Sequence, residues 1–388
     1  MGNRGCSSPH LPLDAGAPYT PHLPRHWLTV RRYPDDHEVF VPVEAVASSP
    51  SELPRGYTPL FQPVSNGLGA GFDTARAVSH GTLELLQRDG NSVNYRALDR
   101  GRVITLDDPL PDDVRTFLDA LEAKGVRVFV KLAATDFGLV NLYVVGDDPD
   151  PVTPLMLGAC GEACHPDRTV ALRKALFEYG ASRTRLMFDH GDLGRLASVV
   201  PDGYLAAHRA HFPPVGEEPR ALRAMLGWGA CSTAELRDTL APVFCQESSV
   251  AWHDLPNPPV SSDPLADLND RLGDLGIFYR DVTTDRARDH GVVVCKVVVP
   301  TLEVETASYG RIGMRNLTRL LDRNSPLVGL GAAPPGAEPI VLRGNDEAAL
   351  GQPAWFDPAE LRRTVGPLYT LYREPSRHAA QYVSHGFS

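Results

Sequence analysis

The stretch "SNGLGAGFDTARAVSHGTLELLQRD", residues 65–89, joins a run of small residues directly to a patterned helix. Glycines before a helix start let backbone amides approach a phosphate, and Ser65 and Asn66 add side-chain donors at the same place. No Lys-Ser or Lys-Thr follows the glycines, so the sequence does not match the common P-loop. The stretch therefore predicts a phosphate-binding turn of another kind.

The helix after this turn is predicted to follow the cap residue Asp73 and to run to about Leu98. Residues three and four apart share a helix face, so Glu84, Gln87 and Arg88 point the same way. One interpretation is an ordinary solvated face. The other is a carboxylate that binds Mg²⁺ beside the phosphate turn. The spacing alone leaves both open.

The remaining chain alternates strand and helix patterns. Residues 1–35 are rich in proline, glycine, histidine and arginine and are expected to form an irregular arm. Strand patterns occupy "HEVFVPVEAVA" (37–47), "VRVFVKLAAT" (126–135) and "GLVNLYVVGD" (138–147), and a second helix is predicted within 165–188. This order of elements predicts an α/β (α+β) fold of mixed sheets and helices.

Two distant segments, residues 121–145 and 272–299, carry the same order of features. Each has a helix end, a glycine, a strand, a Thr-Asp pair, another glycine and a second strand. This similarity predicts an internal pseudo-repeat. Further on, "SPLVGLGAAPPGAEP" (325–339) is predicted to be a loop.

The second helix has a smooth side made of Ala171, Ala175 and Ser182, with Glu178 among them. Alanines in such a stripe more often pack against another element than form the floor of a ligand site. Glu178 differs from them, because a protein core does not accept an unpaired charge. It is therefore a candidate site residue.

Composition excludes several classes of protein. The 388 residues carry a net charge of −10 without a basic stripe, which argues against sequence-independent binding of nucleic acid. Six irregularly spaced cysteines fit a reducing compartment, and no apolar window is long enough for a membrane span. We therefore expect a cytoplasmic globular protein with no nucleic-acid or membrane partner.

Three other motifs give weaker evidence for a functional site. "CGEACH" (160–165) suggests zinc, but no second ligand pair matches it, so buried or incidental thiols are the better interpretation. Neighbouring His and Asp residues lack a G-x-S-x-G elbow to supply a serine nucleophile. Arg311 and Arg315 in "YGRIGMRN" form either a surface turn or an anion contact.

Taken in order, four segments within about residues 38–325 resemble the YcaO family. They are "VFVPVEAVA" leading into "SNGLGAGFDTARAVSHGTLELLQRD", then "VKLAATDFGLVNLYVV", then "ACHPDRTVALRKALFEYGASR", and "VVVPTLEVE" with "YGRIGMRN". The first and third look like the family's two ATP-site motifs, a small-residue loop with an E-x-x-E-R helix and an A-L-x-R-A-L-x-E helix.

The resemblance implies an ATP site without a P-loop, in which glutamates of both helices hold Mg²⁺ around the triphosphate. Family members activate a backbone amide of a peptide: a nucleophile attacks the amide carbon, the oxyanion takes the γ-phosphoryl group of ATP, and phosphate leaves. A Cys, Ser or Thr side chain then gives an azoline, an amine gives a macrocyclic amidine, and sulfide gives a thioamide.

The resemblance assigns roles to particular residues. The residues expected to bind ATP are Ser65, Asn66, Gly67, Glu84, Arg88, Glu178, Arg183 and Arg315. Those expected to bind the metal are Glu84, Gln87 and Glu178. Two positions depart from the family pattern, since Gln87 replaces a usual glutamate and Ala181 a frequent glutamine. An amide oxygen can still coordinate Mg²⁺, but it brings less charge.

At the level of the whole chain, the resemblance implies a catalytic domain over 36–325 and a C-terminal extension of the same domain over 326–388. With neither a fused partner domain nor a P-x-P-x-P tail, the chain looks like a stand-alone, divergent member similar to those of bottromycin-type pathways. Its expected substrate is a ribosomal precursor peptide. The resemblance leaves open a homo-oligomer, a partner biosynthetic protein and a non-catalytic peptide-binding scaffold.

Overall fold

The computed structural model describes residues 11–20, 22–97, 99–211, 219–303, 310–342 and 345–384. The strands are β1 (Leu13–Asp14), β2 (Trp27–Tyr33), β3 (His37–Pro42), β4 (Leu68–Gly71), β5 (Arg102–Thr105), β6 (Arg127–Ala134), β7 (Val140–Asp147), β8 (Cys160–His165), β9 (Ser248–Ala251), β10 (Ile277–Asp281), β11 (Val293–Val298), β12 (Arg311–Ile312), β13 (Val328–Leu330), β14 (Glu338–Pro339) and β15 (Ala354–Phe356).

The helices vary from single turns to more than twenty residues. They are α1 (Val43–Val46), α2 (Thr74–Ala97), α3 (Asp112–Glu122), α4 (Arg168–His190), α5 (Leu193–Ala197), α6 (Tyr204–Ala210), α7 (Pro219–Ala230), α8 (Thr233–Leu240), α9 (Pro264–Leu272), α10 (Asp285–Asp289), α11 (Met314–Asp322), α12 (Asn345–Leu350), α13 (Pro358–Val365) and α14 (Ala379–Ser384). None of these helices is long and apolar enough to cross a membrane.

Two five-stranded sheets form the frame of the described chain. The first has the order β3-β2-β10-β11-β4, with every neighbouring pair antiparallel. The second has the order β8-β7-β6-β5-β9, in which only β5 and β9 run parallel. A three-stranded sheet, β13-β15-β14, lies in the C-terminal part. β4 and β8 are therefore edge strands, each directly followed by the chain segment that leads into a long helix.

Helix α2 contacts both large sheets, and small residues allow it to lie against β4. A Cβ atom added to Gly69 would lie 1.9 Å from the carbonyl oxygen of Ala77, and one added to Gly81 would lie 2.5 Å from that of Gly67. On the same helix Val78 is fully buried. Part of the run of small residues in the opening stretch is thus explained by close packing between a strand and a helix.

Helix α4 repeats this arrangement on the second sheet. A Cβ atom on Gly161 of β8 would lie 2.1 Å from the carbonyl oxygen of Ala175, and Ala171 and Ala175 are fully buried. The alanine stripe is therefore helix packing. The predicted pseudo-repeat is also visible in the strands, because β6 pairs with β7 and β10 with β11, each antiparallel.

The structure confirms both long helices and several strands, and it corrects three local predictions. The arm expected over 1–35 contains β2, which pairs with β3 and β10; its single fully buried residue, Val30, gives little alternation to detect. Within 37–47 the chain turns helical after Pro42. The loop expected over 325–339 contains β13 and β14, which pair with β15.

The C-terminal residues pack on the rest of the chain through an apolar cluster. Leu361 and Val365 of α13 meet Val93 of α2 and Ala221 of α7 in this cluster. The boundary at residue 325 between a catalytic domain and its extension stays a prediction.

Candidate active site

The turn before β4 is fixed by backbone contacts of Gly67. Its N–H donates to Glu84 Oε2 at 3.0 Å, and its carbonyl oxygen accepts from the Val297 N–H at 2.8 Å. Its φ is +84°, and an added Cβ would lie 2.5 Å from the Val297 carbonyl oxygen. Both the left-handed backbone and the close approach require glycine here.

A buried lysine supports this turn from below. Lys296 of β11 donates from Nζ to the carbonyl oxygens of Asn66, at 2.7 Å, and Val64. Burial lowers the pKa of Lys296 to about 8, although the carboxylate of Glu84 acts to raise it. The stretch "GVVVCKVVVP" (291–300) has the pattern of an apolar core strand, and the signal for Lys296 is a lysine inside a run of valines.

Ser65 and Asn66 present their side chains differently. Ser65 is exposed, whereas Asn66 is buried, and its Nδ2 has no hydrogen-bond partner among the residues that the structure describes. A buried donor without a partner is uncommon in folded proteins and calls for an acceptor from outside the chain. The Asn66 side chain therefore suits a ligand with oxygen or ring-nitrogen acceptors, such as a nucleotide.

The stripe on α2 is partly buried and contacts β8, so it is not a solvated face. Arg88 Nη1 donates to Glu162 Oε2 at 3.0 Å, and Arg88 Nη2 lies 3.7 Å from Glu84 Oε1. Gln87 Nε2 lies 3.4 Å from the same oxygen of Glu162. The structure thus brings Glu84, Gln87 and Arg88 together with a carboxylate that the sequence analysis did not select.

Glu162 lies in the middle of β8, between the two cysteines of "CGEACH", and is buried. The motif was considered for zinc binding through its cysteines, and Glu162 was not selected as a site residue. Burial raises the pKa of the Cys164 thiol to about 12, so that thiol stays protonated at neutral pH. The sequence signal for Glu162 is a glutamate inside an otherwise buried strand, because a buried carboxylate needs a cationic partner and therefore indicates a charged site.

Glu178 reaches the site from α4. Its Oε2 accepts from the backbone N–H of Glu162 at 2.9 Å, and the side chain is otherwise exposed. This contact repeats the one between Glu84 and the Gly67 N–H. Each long helix therefore sends one glutamate back to a backbone amide that precedes it, Gly67 just before β4 or Glu162 within β8. The ion pair of Arg88 with Glu162 joins α2 to β8.

The carboxylates are not a closed metal site by themselves. Among the described residues, the group whose ligand atoms all lie within 4.8 Å is Asp107, Asp108 and His253, on another part of the surface. In that group Asp108 already pairs with Arg168 at 3.0 Å. A cation near the glutamates of α2 and α4 would therefore need further oxygen ligands from phosphate or water.

Arg183 is engaged at a different place. Its guanidinium bonds Asp148, and it donates to the Tyr179 hydroxyl at 3.2 Å. Within the described part of the chain, its hydrogen bonds go to Asp148 and Tyr179 and not to Glu84 or Glu178. Its partner Asp148 directly follows β7.

Arg315 belongs to a network of two arginines and two aspartates. It donates to Asp89 Oδ2 at 2.7 Å and to Asp136 Oδ1 at 3.1 Å, and Arg319 binds the same two carboxylates. Burial acts to raise the pKa of Asp136, but the charges and hydrogen bonds of the arginines outweigh it and lower the pKa. Arg311 is not on a surface turn: it is buried, and it donates to the Pro12 carbonyl at 2.8 Å.

A family model and one relative each match about three quarters of this chain. The model of the family described as YcaO cyclodehydratase, ATP- and Mg²⁺-binding, matches residues 6–303. A protein of Methanothermobacter thermautotrophicus, described as uncharacterized, is 27% identical over 303 residues, which cover 74% of this chain and 68% of that protein.

Solved structures with similar folds support this match. YcaO from Methanopyrus kandleri, bound with AMPPCP and Mg²⁺, aligns with a TM-score of 0.51 at 18% identity over 74% of this chain and 67% of its own. A heterocyclase in complex with substrate and cofactor aligns with a TM-score of 0.54 at 18% identity, over 78% of this chain but 36% of its own. At these identities the likeness shows the shared mixed α/β fold.

Proposed function

Because this chain belongs to the YcaO cyclodehydratase family, whose enzymes depend on ATP and Mg²⁺, we propose that it activates a backbone amide of a ribosomally made precursor peptide by O-phosphorylation. The observation that carries the proposal is the pair of glutamates, Glu84 and Glu178, each held by a backbone amide at an edge strand or in the turn that leads into it. The buried Nδ2 of Asn66, which has no hydrogen-bond partner in the described part of the chain and precedes the Gly67 that holds Glu84, supports a nucleotide ligand.

The residues present fit a nucleotide with its cation. Bound Mg-ATP would supply the phosphoryl group that turns the amide oxygen into a leaving group. Glu84 and Glu178 each use one carboxylate oxygen to accept a backbone N–H, and the other oxygen of each would be the one that holds the cation. Asn66 would donate to the nucleotide, and Ser65 is exposed next to it.

Glu162 enters the proposal because position 87 is a glutamine where a glutamate is usual. Its carboxylate lies 3.4 Å from the Gln87 amide nitrogen, on the strand that faces α2. We propose that it supplies the negative charge that Gln87 does not. Arg88 holds this carboxylate at 3.0 Å, which keeps its charge in a fixed position.

Arg183 and Arg315 remain in the proposal as phosphate ligands on the resemblance alone. To reach a phosphate, each would have to exchange its present carboxylate partner, Asp148 or Asp89. Positioning and charge neutralisation are the main contributions a protein makes to phosphoryl transfer, so such an exchange on nucleotide binding has a physical purpose.

The expected product is an azoline or a macrocyclic amidine, as in bottromycin-type pathways. Both form by loss of one water from the peptide, while ATP becomes ADP and phosphate. Purified protein with Mg-ATP and a precursor peptide encoded nearby should release ADP and phosphate in a peptide-dependent way, with a product lighter by one water in mass spectrometry. An unchanged peptide mass contradicts the proposal.

The same measurement separates two alternatives. A thioamide product would be heavier by the exchange of oxygen for sulfur and would require a sulfur donor. A non-catalytic scaffold would bind the peptide without ATP turnover. Calorimetry with Mg-ATP tests the scaffold further, because magnesium-dependent binding that is lost in Glu84→Ala and Glu178→Ala argues against an empty nucleotide site.

A further inference from the structure

A cavity of about 450 Å³ opens between α7, α8 and the segment around α13. None of the residues that line it belongs to β4, α2, β8 or α4, so it is separate from the glutamate site. Its volume lies within the roughly 300–1,000 Å³ of ligand pockets in general. Nothing in the proposed function uses it.

Three arginines surround this cavity: Arg220, Arg223 and Arg362. None of the described residues that line it is acidic. Arg223 and Arg362 are exposed, and the structure gives neither of them a hydrogen bond or ion pair with another described residue. In a chain with a net charge of −10, such a concentration of positive charge is a local exception.

The floor of the cavity is aromatic and fixed in position. Trp228 and Tyr369 are buried, and the Trp228 indole N–H donates to the Pro367 carbonyl at 2.8 Å. The Arg220 guanidinium lies 5.2 Å from the centre of the Tyr369 ring. A ligand in this cavity would meet an apolar surface below and guanidinium groups at the rim.

We propose that this cavity binds an acidic segment of a peptide. Its carboxylates would pair with Arg223 and Arg362, and an apolar side chain would cover the rings of Trp228 and Tyr369. Free phosphate would satisfy the arginines but leave the rings uncovered, which favours the peptide. The inference rests on the proposed function in taking a peptide as the ligand, and it places the contact away from the reacting amide.

Two glycines of α7 allow a sharp test. Gly227 lines the cavity, and an added Cβ would meet nothing within 4 Å, so Gly227→Leu is designed to fill the cavity from an open position. Gly229 is equally open but is not part of the lining, so Gly229→Leu is the matched control on the same helix. Arg223→Ala together with Arg362→Ala removes the charge and leaves the floor intact.

The probe is a pool of short fluorescein-labelled peptides in which glutamate alternates with apolar residues, measured by fluorescence anisotropy on the full chain without ATP. Wild type and Gly229→Leu should bind it, and binding should weaken with added salt. Gly227→Leu should lose binding, and the double arginine variant should bind at least about tenfold more weakly. A matched pool with glutamine for glutamate should bind no better than that variant.

Three results would overturn the inference: equal binding of the glutamate and glutamine pools, wild-type affinity in Gly227→Leu, or displacement of the peptides by inorganic phosphate at its usual buffer concentration. The last would make the cavity a phosphate site. Because ATP is left out, these outcomes are independent of amide activation. Loss of peptide-dependent ATP turnover in Glu84→Ala, with peptide binding intact, would separate the two sites.

Discussion

Gly67 meets three structural requirements of the site at once. Its N–H orients Glu84, its carbonyl anchors the turn to β11, and its backbone is left-handed. Lys296 then holds the carbonyl oxygen of the preceding residue. At the scale of single residues, the glutamate is positioned by backbone geometry that only glycine permits.

We expect Gly67→Ala to lower the free energy of unfolding by about 1–3 kcal/mol or more, because alanine meets both the left-handed φ and the Val297 carbonyl. Urea denaturation measures this change. Gly291→Ala is the control, since Gly291 has a φ of +68° but nothing within 4 Å of an added Cβ. If both variants lose the same stability, the contact with Val297 contributes nothing.

The pH dependence of stability reports on Lys296. Its pKa in the folded protein is about 8, below the ordinary value of 10.5, so the unfolded chain binds more protons between these values. The contribution of this group to the free energy of unfolding therefore rises with pH within this window and is constant below it. Relative to Lys296→Met, wild type should gain up to about 3 kcal/mol from pH 8 to 10.5.

Urea denaturation of both proteins across this range gives the difference directly, and the variant cancels the titration of all other groups. A difference that does not change with pH would mean that Lys296 keeps an ordinary pKa and is not buried as described.

Gln87→Glu tests whether Glu162 replaces the missing carboxylate. A glutamate at 87 would place two like charges side by side, so we expect a loss of about 1–2 kcal/mol of stability without Mg²⁺ and recovery when Mg²⁺ is added. Adding Glu162→Gln should relieve the loss. Thermal unfolding with EDTA or with Mg²⁺ measures both effects; a single variant as stable as wild type in EDTA would contradict this role of Glu162.

At the scale of elements, the site depends on two strand-to-helix units built alike. In each unit a glycine of the edge strand lies against backbone of the following helix: Gly69 against Ala77, and Gly161 against Ala175. This close approach brings Glu84 within reach of the Gly67 amide, just before β4, and Glu178 within reach of the Glu162 amide in β8. The position of each glutamate therefore depends on how closely its helix packs against the strand.

Gly161→Ala tests this link between packing and chemistry. Its Cβ would lie 2.1 Å from the Ala175 carbonyl oxygen, so α4 must move away from β8, at a cost of about 1–3 kcal/mol. Affinity for Mg-ATP, measured by calorimetry, should fall with stability because Glu178 moves with the helix. Gly227→Ala in α7 is the control: it meets no atom and should stabilise the protein by up to about 1 kcal/mol.

At the scale of the whole molecule, α2 is the element shared by both sheets and by the C-terminal cluster. Glu84 lies on the part that contacts β4, and Val93 lies in the cluster with α13. A ligand that fixes Glu84 and Glu178 together would therefore stabilise both sheets at once.

Mg-ATP should accordingly raise the Tm of the whole protein in a single transition. At a ligand concentration about one hundred times Kd, the expected stabilisation is about 2.7 kcal/mol. Differential scanning fluorimetry measures the shift, and ATP with EDTA is the control. Glu84→Gln and Glu178→Gln should each reduce the shift. Separate transitions, with only one moved by Mg-ATP, would show that the sheets do not act together.

The sequence by itself determined the two long helices, the pairs of strands in the pseudo-repeat, and the family, because these depend on local periodicity and on motifs that are continuous in the chain. It also brought Glu84, Gln87 and Arg88 onto one face, since helical spacing is a local property. β2 was missed because a strand with one buried residue takes its stability from its neighbours in the sheet.

Only the tertiary structure decided which charges meet across the chain. Glu162 joins Arg88 from 74 residues away, and Lys296 supports Asn66 from 230 residues away. Arg183 matches a basic position of the family motif and Arg315 is a weaker candidate, yet their side chains pair with Asp148 and Asp89. A buried charge takes the nearest opposite charge that the fold supplies, and the order of residues in a sequence does not state that distance.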